Sequence, residues 1–274
     1  MKRFNFFVLM LLFCQMAFSA EIVKLTDEAS IDKVIKEMTL EEKAKLVCGM
    51  GMTSKKVPGA VGSTYEIPRL GIPELVVSDG PAGLRLGGTF SGVKAVYATA
   101  FPIPAAMAST WDLDLLNKVG IAMGAESKAF GVDVLLGPAF NIKRDPLNGR
   151  NFEYMGEDPF LTASIGVSFV KGLQGDDPVY LKSSACAKHY AVHSGPEWNR
   201  HTYDAKVNNH DLWDTYLPAF KELVVEGKVT GVMCAYNSFF GQPCCGNDLL
   251  MMDILRNHWK FGGYVTSDCG AVED

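Results

Sequence analysis

The chain has 274 residues, a formal charge of −5 and 48% apolar residues, enough for one large domain with a substantial core. No Lys/Arg cluster that could track a phosphate backbone is present, so nucleic acid is excluded as a partner. The charge becomes −7 once the cations of the first few residues, Lys2 and Arg3, are set aside.

Residues 1–19 read as a signal peptide: Lys2 and Arg3, an apolar run from Phe4 to Cys14 too short to span a membrane, and Ala17-Phe18-Ser19 before cleavage at Ala20. The expected protein is exported, periplasmic or extracellular. A lipoprotein reading of Leu11-Leu12-Phe13-Cys14 meets a bulky Phe13 where a small residue is wanted. Thr39-Leu40-Glu41-Glu42 then forms a capping box for a helix through Val47, ended by Gly49 and Gly51.

From Glu74 a repeating pattern begins. Apolar runs at Leu75–Val77, Val132–Leu136, Ser184–Ala187, Gly231–Cys234 and Gly263–Val265 have the length of strands buried on both faces. Stretches with helical spacing lie between them, at Leu113–Ala129, Pro159–Leu173, Asn209–Glu226 and Asp248–Trp259. This alternation predicts parallel β/α units.

Each run is followed at once by polar residues: Ser78-Asp79-Gly80, Asn141 to Asp145, Lys188-His189, Tyr236-Asn237 and Ser267-Asp268. A (β/α)8 TIM-like barrel gathers all of these at one mouth, whereas an open doubly wound sheet gathers only some. No Gly-rich phosphate loop favours the open sheet. Five strands are clear, six if Thr99–Phe101 is one, so the barrel is expected to be incomplete in this chain.

Six cysteines follow the leader: Cys48, Cys186, Cys234, Cys244, Cys245 and Cys269. Cys186 and Cys234 sit in apolar runs and read as small buried hydrophobes; one disulfide is possible, a disulfide framework is not indicated. The adjacent Cys244 and Cys245 lack zinc-site spacing, and His189, His193 and His201 form no helix-face metal pair, so no metal or cofactor is expected.

A mouth holding carboxylates, Arg, Lys and His suits a neutral polyhydroxylated substrate such as an oligosaccharide or small glycoside. Each residue also has a plainer reading. Asp79 could shape the Gly80-Pro81 turn, Lys188-His189 could be a satisfied buried pair, Arg150 could pair with Glu153 or Glu157, and Asp268 could cap a helix.

The motifs nonetheless carry a resemblance. Val77-Ser-Asp-Gly-Pro-Ala-Gly-Leu-Arg85 resembles the opening motif of glycoside hydrolase family 3. Asn148 to Tyr154 with Gly156-Glu157-Asp158-Pro159 is similar to the family's arginine loop, and Ala187-Lys188-His189-Tyr190 to its lysine-histidine pair. Met233 to Asn237 and Ser267-Asp268-Cys269 follow in the family's order, so the motifs span Thr39 to Glu273.

The resemblance implies a barrel domain over residues 20–274 and, in family members, a second α/β sandwich domain that is absent from this chain and supplies the general acid/base. It implies a retaining β-glycosidase with Asp268 as nucleophile, and a sugar held by Asp79, Arg85, Arg150, Lys188, His189, Arg200 and Tyr236. The N-acetylglucosaminidase branch is disfavoured because its Asp-Ser-His or Asp-Thr-His loop is replaced by His193 to His201, and Glu197 and His201 stay outside the catalytic set. The Val232–Asn237 stretch, Pro243-Cys244 and Cys269 are similar to the β-xylosidase and arabinosidase subgroup, which makes β-xylosidase the first expectation and β-glucosidase the second. Trp198 is the candidate flat wall for the sugar. A sugar-binding protein without catalysis is the alternative of another class.

Overall fold

The structure, a computed structural model, describes residues 23–88 and 92–272. The expected signal peptide lies outside the described residues.

The centre is a six-stranded sheet in which β1 (Gly62–Ser63), β2 (Val76–Asp79), β3 (Val134–Leu136), β4 (Ser184–Tyr190), β5 (Gly231–Cys234) and β6 (Tyr264–Ser267) lie side by side in chain order. β1 is antiparallel to β2; every other pairing is parallel. The fold is an incomplete TIM-like barrel. The run Thr99–Phe101 is not a strand, and before it Leu86–Gly88 pairs antiparallel with Val93–Val96.

Register decides which side chains meet. Val77 aligns with Val134, Asp79 with Leu136, Cys186 with Gly231, and Lys188 with Met233 and hence Thr266. Because side chains alternate along a strand, these residues share one face. There Val134, Leu136, Cys186 and Met233 form a small apolar cluster. The opposite face, with Val76, Leu135, Ala185, Ala187, Val232 and Cys234, belongs to the main core.

The amino-terminal helices α1 (Ile31–Glu37) and α2 (Leu40–Cys48) pack in a small cluster of their own with Ile67 and Leu70, and α2 starts with the predicted box: Thr39 accepts from the Glu42 amide and Glu42 from the Thr39 amide. Three further helices cover the main-core face of the sheet. Along the sheet run α3 (Leu113–Phe130), α4 (Pro159–Gln174) and α5 (Pro218–Val225). Asp112 and Asp158 cap α3 and α4 by accepting the amides of Leu115 and Leu161. The two helices approach backbone to backbone, since a Cβ on Gly124 would lie 2.4 Å from the Leu173 carbonyl oxygen and one on Gly120 2.3 Å from that of Phe169.

The stretch 209–226, expected as one helix, is broken. Asn209–Asp211 is α-helical, Leu212–Tyr216 widens into a π turn closed by the Leu217 amide on the Leu212 carbonyl, and α5 begins at Pro218. Proline has no N–H to carry an α-helical ladder through that point. Leu249–His258 is also π-helical. No helix among the described residues is long and apolar enough to cross a membrane.

Cys234, read from its apolar run as a small buried hydrophobe, is instead joined to Cys245 in a disulfide, while Cys186 is buried and free. The bridge ties the end of β5 to the turn Cys244–Gly246 and encloses Tyr236 and Asn237.

Candidate active site

The polar residues follow the apolar runs because the strand ladder continues into them. β2 ends on Asp79 and β4 extends through Lys188 and His189, at the carboxyl ends of parallel strands where a barrel builds its site. The chain turns sharply after β2: Gly80 has φ +146° and a Cβ there would lie 1.8 Å from the Gly83 carbonyl oxygen, so no side chain fits. The turn returns Arg85, whose amide donates to the Asp79 carbonyl at 2.9 Å. In β4 the register shifts between Lys188 and Tyr190. Such an irregularity re-aims side chains; Lys188 lines the pocket and His189 is buried next to it.

Six charged groups form an alternating series. Arg85 lies 2.6 Å from Asp79 Oδ2, and Lys188 donates to Asp79 Oδ1 at 3.0 Å. Lys188 is 3.9 Å from Glu153, Glu153 pairs with Arg150, and Arg150 Nη1 donates to Asp268 Oδ2 at 3.2 Å. Three cations thus balance three carboxylates. Asp268 Oδ1 also accepts the Cys269 amide at 2.8 Å, and only 7% of Asp268 is exposed.

The charges tune one another. Burial opposes ionisation of Asp79, but the Lys188 and Arg85 charges outweigh it and hold the carboxyl below its ordinary range. Burial likewise works against the Arg150 charge, and Glu153 chiefly overcomes it, so the guanidinium stays firmly protonated. Burial, with Asp268 next, raises the Tyr236 hydroxyl. Burial and then Asp268 and Asp79 raise the Cys269 thiol, which disfavours the thiolate. His193, hydrogen-bonded to Asn237 at 3.0 Å, is lowered to about 4 by burial and by Arg150.

These residues surround a pocket of about 420 Å³, within the range of small-molecule sites. Of the eight residues named from sequence, Asp79, Arg85, Arg150, Lys188, Arg200, Tyr236 and Asp268 line it. His189 does not: it is fully buried behind the wall, its Nε2 3.4 Å from Asp268 Oδ2. Arg200 lies over the Tyr236 ring at 5.3 Å and is anchored by Glu197 at 2.6 Å.

Trp198 is 83% exposed and is not part of the pocket lining. The apolar lining includes Met52, Val61, Leu136, Phe152 and Met233 together with Tyr236. Glu153 and Glu197, which sequence reasoning left outside the site, also line it. Glu153 could have been found from its position three residues after Arg150. Met52 and Met233 carried no such signal.

The comparisons with known proteins agree with the motifs. Residues 52–274 match the profile of the glycosyl hydrolase family 3 N terminal domain. The chain belongs to glycosyl hydrolase family 3. Among members of this family, it is 41% identical over 248 residues to a thermostable beta-glucosidase B of Acetivibrio thermocellus, covering 89% of this chain and 31% of that protein. It is 42% identical over 265 residues to a xylan 1,4-beta-xylosidase of Xylanibacter ruminicola, covering 90% of this chain and 28% of that protein. Among solved structures, beta-glucosidase 3B from Thermotoga neapolitana in complex with alpha-D-glucose superposes with a TM-score of 0.79 at 43% identity, covering 87% of this chain and 33% of that one. The chain spans about a third of the length of these relatives.

Proposed function

We propose that this chain is the nucleophile-bearing part of an exo-acting retaining β-glycosidase, with Asp268 as the attacking carboxylate. The observation that carries the reading is the position of Asp268 at the end of the alternating charge series, lining the pocket of about 420 Å³. Retention requires a carboxylate to attack the anomeric carbon and a second carboxylic acid about 5 Å away to protonate the leaving oxygen. Asp268 is suited to attack, since the Cys269 amide and the Arg150 guanidinium fix both its oxygens. Asp79, Lys188, Arg150, Arg200 and Tyr236 would grip sugar hydroxyls through charge-assisted hydrogen bonds, with Arg85 holding Asp79 in place and His189 backing the nucleophile. The acid is proposed to come from outside residues 1–274, in the family's second domain.

Xylosides are the proposed first substrates, supported by the Met233–Asn237 and Cys269 similarities and by the xylosidase relative; glucosides, supported by the glucosidase relatives, are second. Export is part of the proposal, and the Cys234–Cys245 disulfide fits an oxidising compartment.

The test is trapping with activated 2-deoxy-2-fluoro xyloside and glucoside, followed by peptide mapping. Label on Asp268, faster from the xyloside, is the expected result; label on another carboxylate would refute the assignment. Sugar binding with no label would favour a non-catalytic carbohydrate-binding role.

A further inference from the structure

Two loops bring arginines to the pocket, one after β3 with Arg150 and one after β4 with Arg200, and Glu197 stands where they meet. Its backbone N–H donates to the Leu147 carbonyl at 3.4 Å. Its carboxylate lies against Gly149, where an added Cβ would fall 2.7 Å from Glu197 Oε2 and 2.8 Å from Cδ. The Gly149 backbone is not left-handed, so the Glu197 side chain, and not φ, is what leaves no room for a larger residue.

From this seat the other carboxylate oxygen, Oε1, accepts from Arg200 Nη1 at 2.6 Å. Arg200 Nε donates to His201 Nε2 at 3.1 Å, and the guanidinium lies over the Tyr236 ring, 5.3 Å from its centroid. The Glu197 and Arg200 side chains stay 44% and 33% exposed, and an ion pair so open to solvent contributes little to folding. A buried tie between the same loops, Asn148 Nδ2 donating to the His193 carbonyl at 3.3 Å, holds their bases together. The Glu197 seat acts further out, on the guanidinium itself.

We infer that Glu197 is a positioning residue: seated on Gly149, it fixes the Arg200 guanidinium against Tyr236 and so sets where a ligand oxygen is met. The seat stands on the geometry alone. That the ligand is a glycoside rests on the proposed function. A guanidinium on a flexible stem samples many orientations, and holding two of its N–H groups in advance spares the ligand that ordering cost. Glu197 thus acts on affinity through Arg200.

The experiment follows the Arg200 Nε–H by NMR of the full chain labelled with 15N-arginine, the signal being assigned by its loss in Arg200→Lys, alongside titration with methyl β-xyloside and methyl β-glucoside. A sharp, slowly exchanging Nε–H is expected in the unaltered chain. Glu197→Ala and Gly149→Ala should each bring it to the rapid exchange of a free side chain, weaken glycoside binding on the order of 10-fold, and leave thermal melting unchanged. Because both act through one contact, the double variant should lose no more than either single one. Glu197→Gln, which fills the seat and keeps one acceptor oxygen, should fall between the unaltered chain and Glu197→Ala. An Arg200 signal that survives Glu197→Ala, additive losses in the double variant, or losses that track a lowered melting temperature would each overturn the inference. If the unaltered chain binds neither glycoside, or the fluoroglycoside label misses Asp268, the proposed function fails while the Arg200 signal still decides the inference.

Discussion

Replacing Cys234 with Ala removes the bridge to Cys245 at a site where Cys234 is 1% exposed. The two cysteines are 11 residues apart in sequence, and closing a loop of that length in the unfolded chain accounts for about 2.8 kcal/mol of stability on the chain-entropy relation. For a domain of this size each kcal/mol shifts Tm by about 2–4 °C. Thermal melting should therefore fall by about 6–11 °C in Cys234→Ala, and by a similar amount in the intact protein under reductant. Cys245→Ala should cost about as much, and the double variant no more than either single one, because both changes remove the same covalent bond. Additive losses, or a reductant effect that persists in Cys234→Ala, would refute the reasoning.

Lys188→Met takes the central cation from the charge series and leaves Asp79 and Glu153 each short of a partner; a loss of about 3–5 kcal/mol in urea unfolding is expected, as for a broken buried pair. Stability should also fall with acid. His193 takes up a proton only near pH 4 when folded but near 6.5 when unfolded, so between these values the unfolded chain binds more protons and stability drops as pH falls, by up to about 1.4 kcal/mol per pH unit. His189 acts in the same direction, and the lowered pKa of Asp79 adds a further loss below about pH 4. Urea titrations between pH 7 and 4 measure this, and His193→Gln should flatten the slope. Gly124→Ala, which on helix propensity alone would stabilise by about 1 kcal/mol, should instead cost about 1–3 kcal/mol by driving α3 off Leu173, measured as a lowered urea midpoint.

The parallel strands were legible because strands buried on both faces read as short apolar runs. Their far ends were not. Ser78 and Asp79, Lys188 to Tyr190, and Thr266 and Ser267 all continue their strands, yet polarity ends the apolar signal where the pocket begins. β1 has two residues and no apolar run to betray it. The break at Pro218 was written in the sequence, but helical spacing on both sides masked it. The Cys234 pairing was hidden because sequence spacing carries no information about the direction of a side chain at a strand end. Seven of the eight predicted site residues line one pocket because they sit on the carboxyl ends of strands or in the loops that follow them. His189 misses the lining and Trp198 lies outside it, since motif position does not say which side of a wall a ring occupies.

The three-and-three balance of Arg85, Asp79, Lys188, Glu153, Arg150 and Asp268 has a consequence for how a ligand arrives. Their fields largely cancel beyond the pocket, so an incoming molecule is neither drawn nor repelled from a distance. A neutral ligand then enters by local exchange of partners, with little counterion uptake or release. Its affinity should hardly change between low and physiological ionic strength, whereas a charged analogue of the same shape would meet a compartment already neutral and would have to unseat one of its own ions to stay.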